Sequence, residues 1–95
     1  MRAEYDSRAD VLSIDLIEVE RWDGSDAVDA DFCTIATVGD RPANIELLSP
    51  AQHLDLLAVA AERHDLDAEA LDAAARSALA APDRTVVVDV LTPGR

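Results

Sequence analysis

Residues 10–16 of this chain, Asp-Val-Leu-Ser-Ile-Asp-Leu, place apolar side chains at every second position. Leu12, Ile14 and Leu16 fall on one side, and polar residues lie between them. This alternation predicts a β-strand with one face buried and the other turned towards water. The parity changes after Leu16, which indicates either a bulge at residues 16–17 or the end of the strand.

Further strands follow at short intervals. Residues 22–26, Trp-Asp-Gly-Ser-Asp, have the composition of a turn, and residues 27–38 then alternate as a second strand. Residues 39–42, Gly-Asp-Arg-Pro, favour a tight hairpin connection, and residues 43–47 form a third strand. Consecutive strands with such short connections predict an antiparallel meander.

The pattern then changes to helical spacing. Ser49 is expected to cap a helix over about 50–64, and Asp67 a second helix over about 68–81. A β-branched segment at about 85–91 predicts a final strand that is covered on both faces, either central in the sheet or at a subunit contact. The predicted fold class is α+β: a small antiparallel β-meander followed by two α-helices and a C-terminal strand.

The segment Tyr5–Leu16 resembles the Y-D-x-x-A-D-x-L-x-I-x-L opening of a small prokaryotic family, domain of unknown function 2283. Residues 44–48, Asn-Ile-Glu-Leu-Leu, are similar to a later G-I-E-I-L strand of that family, with Asn44 at a position where a positive φ is expected. The resemblance covers about residues 3–49 and implies the meander. It implies no established activity, although some members resemble the small acidic partner in toxin–antitoxin-like gene pairs.

Three residues of the family motif have a structural interpretation. Asp6 is well placed to accept backbone amides across the next two residues, and Asp10 to close that turn as the strand begins. We therefore interpret Tyr5, Asp6 and Asp10 as a structural turn.

The charge of the chain bears on its partners. Its 95 residues suffice for a single domain over 1–95, and 20 acidic against 8 basic residues give a net charge of −12. This charge disfavours binding to nucleic acid or to anionic membranes and favours a basic protein partner. The chain shows no signal peptide and no apolar run of membrane-spanning length, which predicts a cytoplasmic protein. Arginine without lysine and abundant alanine indicate a GC-rich bacterial genome.

Candidates for chemistry are few. His53 and His64 are eleven residues apart, roughly 16 Å along a helix, which is too far to share one metal ion. Cys33 lies in a predicted strand, where a buried small residue is expected. The aspartates of residues 23–31 match no calcium-loop spacing. The sequence therefore predicts no catalytic, cofactor-binding or metal-ligating residue.

The leading functional prediction is a non-enzymatic interaction module that self-associates as a homodimer. Its candidate interface residues are Trp22, Val86, Val88 and Val90. One alternative is an antitoxin-like regulatory partner that neutralises a basic protein through the acidic N-terminal third. Another is a small ligand-binding protein or enzyme.

Overall fold

The computed structural model describes residues 1–88. Their strands form one antiparallel sheet and are β1 (Arg2–Asp6), β2 (Val11–Asp15), β3 (Gly24–Asp29), β4 (Cys33–Val38), β5 (Arg41–Leu48) and β6 (Thr85–Val87). The helices are α1 (Asp55–His64) and α2 (Ala68–Ala80). The predicted α+β class, its two helices and the C-terminal strand are confirmed. The prediction that both faces of that strand are covered is wrong, because β6 lies at the edge of the sheet and Val87 is 66% exposed. The last part of that predicted strand, residues 89–91, lies outside the described residues.

The spatial order of the strands is β3-β4-β5-β2-β1-β6. The consecutive strands β3, β4 and β5 form a meander, but β2 pairs with β5 and not with β3. Residues 16–23 make this connection across three strand spacings, roughly 14 Å. The amides of Leu16 and Ile17 both donate to the Ala43 carbonyl, at 2.8 and 3.4 Å. Two successive amides on one carbonyl form the hydrogen-bond pattern of a bulge, so the predicted bulge at residues 16–17 is present at the point where the regular pairing of β2 ends at Asp15.

Two local predictions in the first half of the chain are wrong. The single strand over 27–38 is divided, because Asp29 Oδ1 accepts the amides of Asp31 and Phe32 at 2.9 and 3.0 Å and so turns the chain. The turn over 22–26 is absent, and Gly24 begins β3 instead. The short strand β1 was not predicted.

The core lies between one face of the sheet and the two helices. The strand register aligns the fully buried residues in rows, such as Ile14 and Ile35 on either side of Ile45. The helices contribute Leu57, Leu71 and a set of buried alanines, namely Ala60, Ala61, Ala74, Ala75 and Ala78. Because alanine is small, these helices approach the sheet and each other closely.

The two helices begin differently. Asp67 caps α2 as predicted, since its carboxylate accepts the amides of Glu69 and Ala70 at 3.0 and 3.1 Å. The predicted cap at Ser49 is wrong. Ser49 has φ 47°, and its side chain makes no capping hydrogen bond. Its backbone amide donates to the Asp10 carbonyl at 2.9 Å. A short 3₁₀ turn at Pro50–Gln52 follows, and α1 starts only at Asp55.

Candidate functional site

Within residues 1–88, the helices cover one face of the sheet and leave the other face open. Side chains on the open face alternate with the core residues along each strand. Glu4 of β1, Ser13 of β2 and Glu46 of β5 are neighbours in one row across it. Both glutamates are exposed and Ser13 is half-buried, so polar and charged groups occupy the surface opposite the core.

A groove runs along β1 and β2 on this open face. It consists of three adjoining depressions that share lining residues, Arg2 and Asp15 at one junction and Glu4 and Ser13 at the other. At one end lies a cleft of about 330 Å³ beside Trp22. We call the three depressions together the acidic groove. The five residues of each strand make it roughly 17 Å long, which matches an extended peptide of about five residues.

The groove carries a strong negative charge. Its lining contains six carboxylates, on Glu4, Asp6, Asp15, Glu18, Glu20 and Asp83. Among the lining residues that the structure describes, only Arg2 is positive, and it pairs with Glu18 at 3.0 Å. Both side chains of that pair are largely in water, so the pair is weak and can exchange partners. The groove is therefore suited to attract cations along its whole length.

Trp22 gives one end of the groove an apolar wall. Its side chain is 56% exposed, and it lines the cleft together with Ile17 and Val19. An indole this exposed is available for contact with a partner, as the prediction of Trp22 as an interface residue requires. An exposed indole beside Glu18 and Glu20 offers both a flat face for a guanidinium group and carboxylates for its charge.

Asn44 forms part of the floor of the open face. It is only 5% exposed, and its side-chain amide donates to Ser13 Oγ at 2.9 Å and to Asp15 Oδ1 at 2.8 Å. These bonds fix the orientation of a groove carboxylate. The predicted positive φ at Asn44 is wrong, because Asn44 belongs to the extended strand β5.

The hairpin turn between β1 and β2 closes the other end of the groove. Asp6 Oδ1 accepts the amides of Arg8 and Ala9 at 3.0 and 3.1 Å. The Tyr5 hydroxyl donates to Asp10 Oδ1 at 2.6 Å, and this hydrogen bond, with burial and nearby carboxylates, raises the pKa of Tyr5. Asp10 itself has φ 58°. The structure thus places Tyr5, Asp6 and Asp10 together in one turn.

Asp83 holds this turn from a distant part of the sequence. Its carboxylate accepts both the hydroxyl of Ser7, at 2.6 Å, and the Ser7 amide, at 2.9 Å. These bonds, the hydroxyl first, hold the pKa of Asp83 below its ordinary value. Sequence reasoning missed this residue. Its only signal was an aspartate after Pro82 in a turn between helix and strand.

The helix side of the sheet holds a second polar cluster. Asp26 of β3 lies 2.8 Å from His64 Nε2 and 3.0 Å from a guanidinium nitrogen of Arg63, both at the end of α1. The hydrogen bond from His64, followed by that from Arg63, lowers the pKa of Asp26. This cluster joins α1 to the edge strand β3.

Cys33 and His53, the remaining candidates for chemistry, are held in packing contacts. Cys33 is 1% exposed, and burial followed by the nearby carboxylates raises its pKa to about 11, so its thiol is protonated at neutral pH. His53 stacks on Phe32, with ring centroids 3.8 Å apart. Within residues 1–88, no group of three or more His, Cys, Asp or Glu side chains is arranged to hold a metal ion.

The valines named as interface candidates have different positions. Val86 and Val88 pack against the core, whereas their neighbour Val87 is 66% exposed. Val90 lies outside the described residues.

No helix within residues 1–88 has the length and apolar character that crossing a membrane requires.

Comparisons with known proteins add no family to this picture. No family model, no curated protein and no solved structure matches the chain.

Proposed function

We propose that this chain is a non-enzymatic interaction module that binds a basic segment of a partner protein in the acidic groove. The observation that carries the proposal is a continuous line of carboxylates on a sheet face that the helices leave open. The occupant that fits is an extended peptide rich in arginine or lysine, with one cationic side chain against Trp22. Such binding is one way for a small acidic protein to neutralise a basic partner, as in the antitoxin-like role.

The charge of the groove also bears on self-association. Stacking two copies through their open faces would bring Glu4 and Glu46 of one copy close to carboxylates of the other. Like charges in contact oppose association, so this face is suited to a partner of opposite charge. The proposed relationship to the domain of unknown function 2283 family fits this role without defining it, because its motif lies in β1, β2 and the turn that closes the groove.

Peptide titration tests the proposal. A labelled arginine-rich peptide without aromatic residues is added to the chain, and binding is followed by fluorescence anisotropy and by the emission of Trp22, the only tryptophan. We expect binding that weakens as salt rises, together with a shift in Trp22 emission, because the contacts are ionic and one of them lies beside the indole.

A matched pair of variants locates the site. Combining Glu4→Gln with Glu20→Gln removes two groove charges, and combining Glu62→Gln with Glu69→Gln removes two exposed charges from the helices. At about 0.5 kcal/mol for each exposed ion pair, the groove variant is expected to bind roughly fivefold more weakly, whereas the helix variant keeps most of its affinity. Equal losses in both variants would show a general effect of net charge and refute the groove as the site.

A further inference from the structure

Within residues 1–88, the sheet has two edge strands, β3 and β6, and they differ in how readily they could pair with another chain. At β3 the register shifts between Ala27 and Asp29, which is a bulge. Asp26 places a charge on the core side of the same strand, and Arg63 donates to the Ala27 carbonyl at 3.4 Å. Bulges, inward charges and covered backbone groups are devices that prevent an edge from pairing with another chain.

The edge at β6 shows none of these devices in the residues that the structure describes. Thr85, Val86 and Val87 carry no charge, and Val87 is 66% exposed. The Val88 amide donates to the Met1 carbonyl at 2.9 Å, so the backbone of Val88 faces β1. Because backbone groups alternate along an antiparallel strand, those of Thr85 and Val87 face away from β1.

We propose that β6 pairs with β6 of a second copy across a twofold axis. In the antiparallel register centred on Val86, Thr85 of one copy lies opposite Val87 of the other, and the two exchange a pair of backbone hydrogen bonds on each side of the axis. A neutral, β-branched strand opposes no like charges when it meets itself, which makes it self-complementary. The acidic open face lacks that property, so the edge is the surface that a second copy fits.

This arrangement also determines where the two acidic grooves lie. Thr85 and Val87 point to the open face, since Thr85 pairs with Glu4 and Val87 with Arg2. The open faces of both copies therefore form one side of a continuous sheet. The centres of the grooves are four strand spacings apart, roughly 19 Å. If the proposed function holds, the dimer presents two binding sites for basic segments on one surface, and a partner with two such segments gains avidity.

Light scattering after size-exclusion chromatography tests the pairing. At about 100 µM we expect twice the monomer mass of 10.2 kDa. Val87→Pro removes an amide that faces away from β1, so β6 keeps its bonds to β1 while dimerisation is lost. Val87→Thr keeps the amide and the β-branched shape and is expected to remain dimeric. If Val87→Pro unfolds, Val87→Lys replaces it, with Val59→Lys on α1 as the control for an added surface charge.

The outcomes separate this inference from the proposed function. A monomeric wild-type chain at this concentration, or a folded Val87→Pro variant that remains dimeric, overturns the pairing whether or not peptide binds. Salt gives a second distinction. Added salt screens the repulsion between two chains of charge −12 and is expected to strengthen the dimer, while it weakens peptide binding. A dimer that dissociates as salt rises contradicts pairing through a neutral edge.

Discussion

Replacing Asn44 tests how strongly the floor of the open face is held. Asn44→Ala removes the hydrogen bonds to Ser13 Oγ at 2.9 Å and to Asp15 Oδ1 at 2.8 Å. A neutral hydrogen bond contributes about 0.5–1.5 kcal/mol, and one to a charged group about 1.5–3 kcal/mol. Because Ser13 and Asp15 are half-buried, water can replace part of the loss, and we expect the free energy of unfolding to fall by about 2 kcal/mol.

Asn44→Asp sharpens the same prediction. The new carboxylate keeps the shape of the amide, but it faces Asp15 across 2.8 Å and has no hydrogen to donate at pH 7. Repulsion at this distance adds about 1.5 kcal/mol even at the dielectric constant of water. The aspartate variant is therefore expected to be less stable than the alanine variant.

Urea and thermal denaturation followed by circular dichroism measure the stability of both Asn44 variants. A loss of 2 kcal/mol lowers the melting temperature of a domain of this size by roughly 8–16 °C. Gln52→Ala is the matched control, because Gln52 is an exposed amide on the 3₁₀ turn. An Asn44→Ala variant within about 0.5 kcal/mol of the wild type, or an aspartate variant more stable than the alanine variant, would refute this account of the open face.

Four further predictions concern other parts of the fold. Asp67→Ala removes the cap of α2 and is expected to cost about 1 kcal/mol in urea denaturation; an unchanged midpoint would show that the cap contributes nothing. Ala75→Leu overfills the contact between helix and sheet and is expected to cost about 1–3 kcal/mol, whereas Ala73→Leu on the exposed side is nearly neutral. Since the folded pKa of Asp26 is lowered, its charge stabilises the fold above the unfolded pKa near 3.8, and this contribution is lost as pH falls through the folded pKa. The stability difference between the wild type and Asp26→Asn should then shrink as pH falls below about 4, and a difference that stays constant down to about pH 2 would contradict it. Cys33 should resist a thiol reagent at pH 8 until urea unfolds the chain; rapid labelling of the folded protein would show that its thiol is accessible.

Local sequence patterns predicted the fold class and several elements. Strand β2, the Gly39 hairpin and the capped start of α2 each depend on signals within a few residues. The predictions that were wrong depend on competing local groups. The carboxylate of Asp29 accepts two backbone amides and so turns the chain. Ser49 adopts a left-handed conformation in which its amide donates to the Asp10 carbonyl.

The order of the strands could not be predicted in the same way. A period of two shows which side of a strand is buried, but it does not show which neighbour the strand takes. The pairing of β2 with β5 depends on contacts about thirty residues apart, such as Ile14 with Ile45. Strand β1 gave a weak signal because Ala3 is small and Tyr5 is only partly buried.

The sequence predicts the negative charge of the candidate site but not its position in the fold. The sequence shows an excess of acids in the N-terminal third, and that excess favoured a basic partner. Only the folded sheet shows that Glu4, Asp6 and Asp15 share one open face. Asp83 joins them from 76 residues beyond Ser7, a distance that no local pattern covers.

Amide chemical shifts measured during a peptide titration test the groove most directly. The ¹⁵N-labelled chain is titrated with the arginine-rich peptide while its backbone amides and the indole of Trp22 are observed. We expect shifts along β1 and β2, at Glu4, Ser13 and Asp15, and at the Trp22 indole, with little change in α1 and α2. Shifts confined to the helices, or no shifts under conditions where the peptide binds, would contradict it.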